Sequence, residues 1–226
     1  MDNETRALRT ALASFPRSGN TWLRYLIELA TGEASGSVYD DRILPRGRDG
    51  IVIKTHLRNC SEFDRAIHLV RNPFDAIESY FHWKRDIQGD ASVDWAQHVR
   101  QSAVEWREHT LHWLSQGNEG SRDRGIEARS LRRLVRYEDL RANPLRELQG
   151  VLDWLGCDAA DDACRSAVEQ AALERMRALH PTLGAQFFRK ANVGEGRSAF
   201  DDELVHAVTA TLSDLLGRFG YDRIHT

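Results

Sequence analysis

Residues 11–32 read ALASFPRSGNTWLRYLIELATG, a segment that passes from an apolar run through a polar turn into an amphipathic pattern. Ala11–Phe15 has the apolar character of a buried strand. Thr21–Thr31 places its apolar residues on one face of a helix, which Gly32 is suited to end. The segment therefore predicts a strand, a turn over residues 16–20 and a helix.

The turn, FPRSGNTW at residues 15–22, has the composition of an anion-binding site. The first backbone N–H groups of a helix have no internal partner, and the helix dipole adds partial positive charge there. Gly19 permits close approach of the backbone, and Arg17 adds a permanent cation. The side chains with hydrogen-bonding groups are Ser18, Asn20 and Thr21. An ordinary strand-to-helix turn capped by Asn20 explains the same residues, so the turn alone leaves both interpretations open.

The P-loop of nucleoside triphosphatases is the nearest alternative for this turn. That motif needs G-x-x-x-x-G-K-[ST], with lysine directly after the second glycine. Here Asn20 follows Gly19, and no glycine precedes Gly19 at the required distance. A magnesium-dependent nucleotide kinase is therefore disfavoured, but it stays an alternative.

The rest of the chain continues the alternation of apolar runs and helical patterns. Further strands are predicted at Ile51–Lys54, Ala66–Val70 and Leu131–Tyr137. Further helices are predicted from Pro73 through Ser79 to Trp83 and at Val93–Leu114, Pro144–Leu155 and Asp201–Phe219. The polar stretches Glu33–Gly50 and Ser115–Ser130 predict loops. This order predicts an α/β fold: one domain over residues 1–226, with a central parallel sheet flanked by helices.

The predicted helix Val93–Leu114 carries aromatic residues at near-helical spacing. The apolar positions are Trp95, Val99, Trp106 and Trp113. A stripe of this kind favours packing into the core over a wall that contacts a substrate.

Composition restricts the class of protein further. The 226 residues include 31 Lys+Arg and 34 Asp+Glu, a net charge of −3 that argues against a general nucleic-acid binder. No apolar run approaches the ~18 residues that span a bilayer. The first residues, MDNETRALRTALASF, lack the apolar block of a signal peptide. Cys60, Cys157 and Cys164 have no metal-binding spacing and suit a reducing compartment. We therefore expect a cytoplasmic protein without a metal site.

Five segments, in order, resemble the PAPS-dependent sulfotransferase family, whose sulfuryl donor is 3′-phosphoadenosine 5′-phosphosulfate (PAPS). The segments are FPRSGNTW at 15–22, IKTHL at Ile53–Leu57, LVRNPFDAIESY at Leu69–Tyr80, VRYEDLRANP at Val135–Pro144 and FRKANVG at Phe188–Gly194. The resemblance implies a P-loop-like, nucleotide-kinase-like sulfotransferase fold. It also implies an enzyme that moves the sulfuryl group from PAPS to a hydroxyl of a glycan, alcohol or phenol and releases PAP, with no metal.

The resemblance assigns roles to individual residues. His56 matches the catalytic base at a strand end, where a neutral imidazole can accept a hydroxyl proton. Lys54 and Arg17 would stabilise the transferring group and the leaving phosphate. The implied donor-binding residues are Arg17, Ser18, Gly19, Asn20, Thr21 and Trp22 at the 5′-phosphosulfate, Arg71, Ser79, Arg189 and Lys190 at the 3′-phosphate, and Tyr137 near the adenine nucleotide.

Two positions depart from the family's pattern. Arg17 stands where lysine is usual, and arginine does not readily give up a proton to a leaving group. Ala191 stands where the late loop usually has glycine. A relative that binds the nucleotide without transferring sulfate therefore stays open beside the kinase.

Among subgroups, the run NTWLRYLIELATG, followed by IKTH and RNP, is similar to the sulfotransferase-like domain of WSC-domain proteins. That subgroup implies a glycan acceptor. The candidate segments for contacts with the acceptor are Glu33–Gly50, His82–Asp90, the helix around Trp106 and Ser115–Ser130.

Overall fold

The computed structural model describes residues 8–39, 47–58, 61–115, 131–179 and 193–222. Within these residues, five strands form one parallel sheet in the order β2-β3-β1-β4-β5. The strands are β1 (Thr10–Ser14), β2 (Gly36–Ser37), β3 (Ile53–Thr55), β4 (Arg65–Val70) and β5 (Arg132–Arg136). The predicted α/β class with a central parallel sheet is confirmed.

Helices connect and cover the strands. They are α1 (Asn20–Thr31), α2 (Pro73–His82), α3 (Trp95–Ser115), α4 (Tyr137–Ala142), α5 (Pro144–Leu155), α6 (Asp161–Gln170), α7 (Leu173–Leu179) and α8 (Asp202–Phe219). A π-helical turn (Trp83–Ile87) follows α2, and a 3₁₀ turn (Gly196–Ala199) precedes α8. None of the helices in the described part of the chain combines the length and apolar character that crossing a bilayer requires.

The two faces of the sheet are covered by different helices, because alternate residues of a strand point to opposite sides. Leu12 of β1 belongs to a cluster built with α1, α5 and α6. Ala11 and Ala13 face the other way and pack with Trp113 of α3. Further apolar residues of α2, α3 and α8 form a second cluster. Burial on both faces accounts for the nearly continuous apolar runs of the strands.

The predicted aromatic stripe of α3 lies in this core. Val99, Trp106 and Trp113 are buried. Trp95 is half-buried, and its ring packs edge-to-face on Phe81 and Phe200 at centroid distances of 4.9 and 5.0 Å. These residues stabilise the fold and leave the site to other elements.

Several predicted boundaries differ from the observed ones. The first strand begins and ends one residue earlier than Ala11–Phe15, and the second is shifted from Ile51–Lys54 to Ile53–Thr55. Strand β5 stops before Tyr137, which begins α4. Strand β2 lies inside a segment predicted as loop, because two residues are too few to show an alternating pattern. Residues 40–46 and 116–130 of the two predicted loops lie outside the described residues.

The strand order places the chemistry-bearing segments together. Strand β1 is central: the chain passes to β2 and β3 on one side of it, and then to β4 and β5 on the other. Such a switch point leaves a crevice outside the carboxyl ends of the strands, where open α/β sheets bind ligands. The turn after β1, the Lys54–His56 segment and Arg71 all lie at this edge.

Candidate active site

The turn that leaves β1 depends on glycine. Gly19 has φ 96° and ψ 12°, in the left-handed region, and α1 begins at the next residue. A Cβ atom at Gly19 would lie 2.5 Å from Cδ2 of Tyr137, so a larger residue would collide with that ring. Arg17 also has a positive φ, 66°, which is uncommon for a residue with a side chain. The turn delivers the N-terminal N–H groups of α1 to the carboxyl edge of the sheet.

Ser18 is fully buried in this turn, and its Oγ has no hydrogen-bond partner among the described residues. A buried hydroxyl without a partner costs about 1–3 kcal/mol. The hydroxyl lies at a helix N-terminus next to Arg17, where the dipole and the cation both stabilise negative charge. These properties fit a phosphate or sulfate group at the turn.

Asn20 braces the turn against β1. Its Nδ2 donates to the carbonyl oxygen of Leu12 (2.9 Å) and to Oγ of Ser14 (3.1 Å). The N-cap of α1 is Gly19, with no side-chain capping bond, so the interpretation of Asn20 as an ordinary helix cap is wrong. Direct contacts of Asn20 and the buried Thr21 with a donor stay predictions.

Trp22 and Tyr137 pack edge-to-face beside the turn, with ring centroids 6.2 Å apart. Nε1 of Trp22 donates to the carbonyl oxygen of Ala171 (3.0 Å), and the Arg141 guanidinium lies 5.3 Å from the indole centroid. Both aromatic residues therefore have structural roles, and their contacts with a nucleotide stay predictions.

Arg71 and Ser79, from the segment Leu69–Tyr80, contact Arg17 of the turn. Nε of Arg17 donates to Oγ of Ser79 (3.2 Å), and Nη1 of Arg71 donates to the carbonyl oxygen of Arg17 (2.9 Å). The Arg71 guanidinium also lies 4.4 Å from the ring centroid of Tyr137. The structure thus brings together Arg17, Arg71, Ser79 and Tyr137, which the sequence singles out in three different segments.

His56 and Lys54 lie at the carboxyl end of β3. Nδ1 of the half-buried His56 is 2.7 Å from the carbonyl oxygen of Ser14. Because a carbonyl oxygen only accepts, this bond assigns the proton of the neutral ring to Nδ1 and the lone pair to Nε2. Lys54 is buried, with Nζ 5.9 Å from the ring centroid of Tyr39. An imidazole held in this tautomer can accept a proton at Nε2.

Three other histidines are buried and neutral behind this edge. Burial is the main cause that lowers the pKa of His68 to about 3, and the nearby Arg132 lowers it further. Burial likewise lowers the pKa of His98 to about 4 and that of His109 well below its usual value. In the part of the chain that the structure describes, no group of three or more His, Cys, Asp or Glu residues is arranged to hold a metal ion.

Two residues near the site, Asp75 and Tyr39, were given no role from the sequence. The carboxylate of Asp75 accepts the backbone N–H groups of Gly194 (2.8 Å) and Gly196 (2.7 Å), and it lies 4.0 Å from the Arg71 guanidinium. Tyr39 stacks on His56. For Asp75 the available signal was its place in LVRNPFDAIESY, four residues after Arg71; Tyr39 carried none.

The late basic loop is only partly described. Arg189, Lys190 and Ala191 lie outside the described residues, so their predicted roles at the 3′-phosphate stay predictions. The described part begins at Val193, and its next residue, Gly194, is one of those bound by Asp75.

A comparison with protein families identifies the family of this chain. The sulfotransferase domain family matches residues 51–220, so the chain belongs to that family, as the five segments indicated. A WSCD family member of Drosophila melanogaster, CG9164, is 34% identical over 181 residues, covering 70% of this chain and 54% of that protein. The chain thus spans about half the length of this relative.

Solved structures share the fold. The crystal structure of mouse sulfotransferase SULT7A1 complexed with PAP covers 94% of this chain and 84% of its own, with a TM-score of 0.71 and 21% identity. Retinol dehydratase in complex with androsterone and inactive cofactor PAP covers 93% of this chain and 82% of its own, with a TM-score of 0.67 and 16% identity.

Proposed function

We propose that this protein transfers the sulfuryl group of PAPS to an acceptor hydroxyl, with His56 as general base and PAP as the released product. The observation that carries the proposal is the 2.7 Å separation between Nδ1 of His56 and the carbonyl oxygen of Ser14. Because the carbonyl can only accept, the lone pair of the neutral ring is assigned to Nε2. This base lies at the same sheet edge as a turn built for an anion, in a chain of the sulfotransferase domain family.

The residues of the turn fit the phosphosulfate end of the donor. Gly19 and the N-terminus of α1 offer backbone N–H groups, and the buried Ser18 hydroxyl offers a hydrogen bond that nothing else in the described structure satisfies. Arg17, Asn20, Thr21 and Trp22 complete the proposed subsite. SULT7A1 and retinol dehydratase were both solved in complex with PAP, which supports the same nucleotide here.

The 3′-phosphate end is assigned to the cations on the other side of the turn. The Arg71 guanidinium would bind the phosphate through two parallel N–H groups. Ser79 would add its hydroxyl, whose oxygen accepts a hydrogen bond from Nε of Arg17 in this structure. Arg189 and Lys190 are proposed as further contacts, and Tyr137, under the Arg71 guanidinium, as the neighbour of the adenine.

In the proposed reaction, Nε2 of His56 takes the acceptor's hydroxyl proton as the oxygen–sulfur bond forms. The bond between sulfur and the bridging phosphate oxygen breaks, and the electron pair stays on the phosphate. Lys54 and Arg17 stabilise that charge and the sulfuryl oxygens, since preorganised cations act where charge develops. Because arginine keeps its proton, Arg17 acts by charge and hydrogen bonding and does not protonate the leaving group.

The acceptor is proposed as a hydroxyl of an alcohol, a phenol or a glycan. Retinol dehydratase was solved in complex with androsterone and in complex with retinol, which supports a small-molecule acceptor here. The match to a WSCD family member supports the resemblance to the sulfotransferase-like domain of WSC-domain proteins, and that resemblance implies a glycan acceptor. A cytoplasmic location also stays a prediction.

Ligand binding followed by transfer tests the proposal. Thermal-shift titration with PAP and with ATP, each with and without Mg²⁺, is expected to favour PAP without the metal; a preference for Mg-ATP would instead support the kinase. An acceptor panel with sulfur-labelled PAPS then measures transfer. Binding of PAP with no transfer to any hydroxyl in the panel would support a nucleotide-binding relative.

A further inference from the structure

We propose that Tyr39 is the positioning residue of His56: it holds the imidazole in the orientation and tautomer that the transfer reaction needs. The proposal rests on the function proposed above and concerns the same site. In the sequence, Tyr39 lies in the stretch Glu33–Gly50 that predicts a loop.

Three contacts join Tyr39 to the functional groups at the end of β3. Its phenol oxygen accepts the backbone N–H of His56 (3.1 Å). Its ring stacks on the imidazole, with centroids 5.5 Å apart and an interplanar angle of 26°. Nζ of Lys54 lies 5.9 Å from the centroid of the same ring. One side chain therefore contacts both groups to which the transfer chemistry is assigned.

Strand β1 holds the imidazole from another direction. Nδ1 of His56 donates to the carbonyl oxygen of Ser14 (2.7 Å), and Oγ of Ser14 is itself held by Nδ2 of Asn20 (3.1 Å). A ring with one edge bound to a backbone carbonyl and one face against a phenol has little freedom to rotate. The stacking contact keeps Nδ1 on the carbonyl, and Nε2 therefore keeps the lone pair.

Tyr39 is itself anchored, as a positioning residue must be. The backbone N–H of Tyr39 donates to Oγ of Ser37 in β2 (3.1 Å). Upstream, Oγ of Ser35 accepts from Nε of the fully buried Arg24 (2.8 Å) and donates to Oε1 of Glu28 (2.5 Å). These bonds fix the segment to α1, while pairing of β2 with β3 fixes it to the strand that carries the base.

The first test is kinetic and uses two variants of the full chain. Tyr39→Leu removes the ring and the hydroxyl, and Tyr39→Phe keeps the ring. Misplacing a general base by about 1 Å costs up to about 100-fold. We expect Tyr39→Leu to lower kcat by about 10–100-fold, with KM for PAPS within about twofold, and Tyr39→Phe to lose less. Unchanged kcat in Tyr39→Leu, or a loss carried by KM for PAPS, overturns the proposal.

Tyr25→Leu is the matched control, because Tyr25 is a half-buried tyrosine of α1 that packs against the core on the opposite face of the sheet from α3. Its kcat is expected to stay near that of the wild type. An equal loss of kcat in Tyr25→Leu and Tyr39→Leu would show a general packing effect and overturn the positioning role.

The second test does not depend on activity. Nitrogen-15 NMR of histidine-labelled protein, with His56→Gln to assign the signal, reports which ring nitrogen carries the proton. We expect Nδ1–H alone in the wild type and in Tyr39→Phe, and a mixture of tautomers in Tyr39→Leu. A mixture in the wild type, or no change in Tyr39→Leu, overturns the proposal. The expected tautomers in a protein that transfers nothing would contradict only the proposed function.

Discussion

Among single residues, His56 has the most specific proposed role, that of the general base. Its ring is held between the Ser14 carbonyl and the Tyr39 phenol, and the unprotonated Nε2 is its one site for accepting a proton. Alanine could not replace a histidine that acts as general base. The nucleotide, in contrast, is proposed to contact other residues, so its binding should not depend on His56.

His56→Ala is expected to lower kcat by about 100- to 10,000-fold while changing PAP affinity by less than about threefold, because a general base contributes to the transfer step. Labelled transfer and calorimetric titration measure the two effects. His206→Ala, at an exposed histidine of α8, is the matched control. Activity that survives in His56→Ala would assign the base to another group.

Arg71 tests the nucleotide assignment. Its guanidinium binds the Arg17 carbonyl and lies over Tyr137, so it lies beside the turn that follows β1. Arg71→Ala is expected to weaken PAP binding by about 10- to 100-fold, as the loss of charge-assisted hydrogen bonds requires. Binding of adenosine 5′-phosphate, which lacks the 3′-phosphate, is expected to change far less. Arg100→Ala, on the exposed surface of α3, controls for loss of charge. Equal losses for both nucleotides would contradict the assignment.

At the scale of elements, the first turn of α2 anchors the segment that leads into α8. Asp75 is buried and binds two backbone N–H groups of that segment. Gly196 lies so close that a Cβ atom there would be 2.6 Å from Cα of Asp75. Gly194, at the end of the late loop, is therefore bound to α2, the helix that begins two residues after Arg71.

Asp75→Asn is expected to lower the free energy of unfolding by about 1–3 kcal/mol, because the amide nitrogen would face one of the two N–H donors. Urea unfolding measures the change. Asp201→Asn is the matched control: Asp201 caps α8 by accepting from the N–H of Leu204, and asparagine caps helices equally well. Similar changes in the two variants would mean that asparagine serves as well as aspartate at position 75, which would contradict the role given to its two N–H contacts.

The sequence predicted the longer elements because their own side chains carry the pattern. Strand β4 and helix α5 are apolar or amphipathic over their full lengths, and both were predicted to within one residue. Gly36–Ser37 is too short to carry a pattern of its own and forms a strand by pairing with β3. Asp75 and Tyr39 act through contacts 119 and 17 residues away, which local patterns do not encode. The described site residues, which come from four of the five segments, lie at one edge of the sheet because the sheet aligns the strand ends.

Across the whole molecule, buried neutral histidines link stability to pH. His68 of β4 and His109 of α3 lie with ring centroids 5.7 Å apart between the sheet and its helical cover. Burial lowers both pKa values, that of His68 to about 3. The unfolded chain, in which histidine has its ordinary pKa of about 6.5, binds protons that the folded chain does not.

Stability is therefore expected to be intact above pH 6.5 and to fall as the pH drops from there towards 3, by up to about 1.4 kcal/mol per pH unit for His68. Urea unfolding at several pH values measures the slope. His68→Leu is expected to flatten it by the equivalent of one proton, while His206→Leu at an exposed position leaves it unchanged. An unchanged slope in His68→Leu would mean that this histidine is protonated in the folded protein.

One hydrogen bond, 2.9 Å from the Arg71 guanidinium to the Arg17 carbonyl, joins the residues that follow two neighbouring strands. Strands β1 and β4 are paired along five residues, from Thr10 to Ser14 of β1, so the backbones of the two segments leave the sheet side by side. Their separation is governed by the interstrand distance of about 4.8 Å, a length that thermal motion scarcely alters. A ligand that contacts both segments would therefore meet backbone groups whose spacing is set by the sheet.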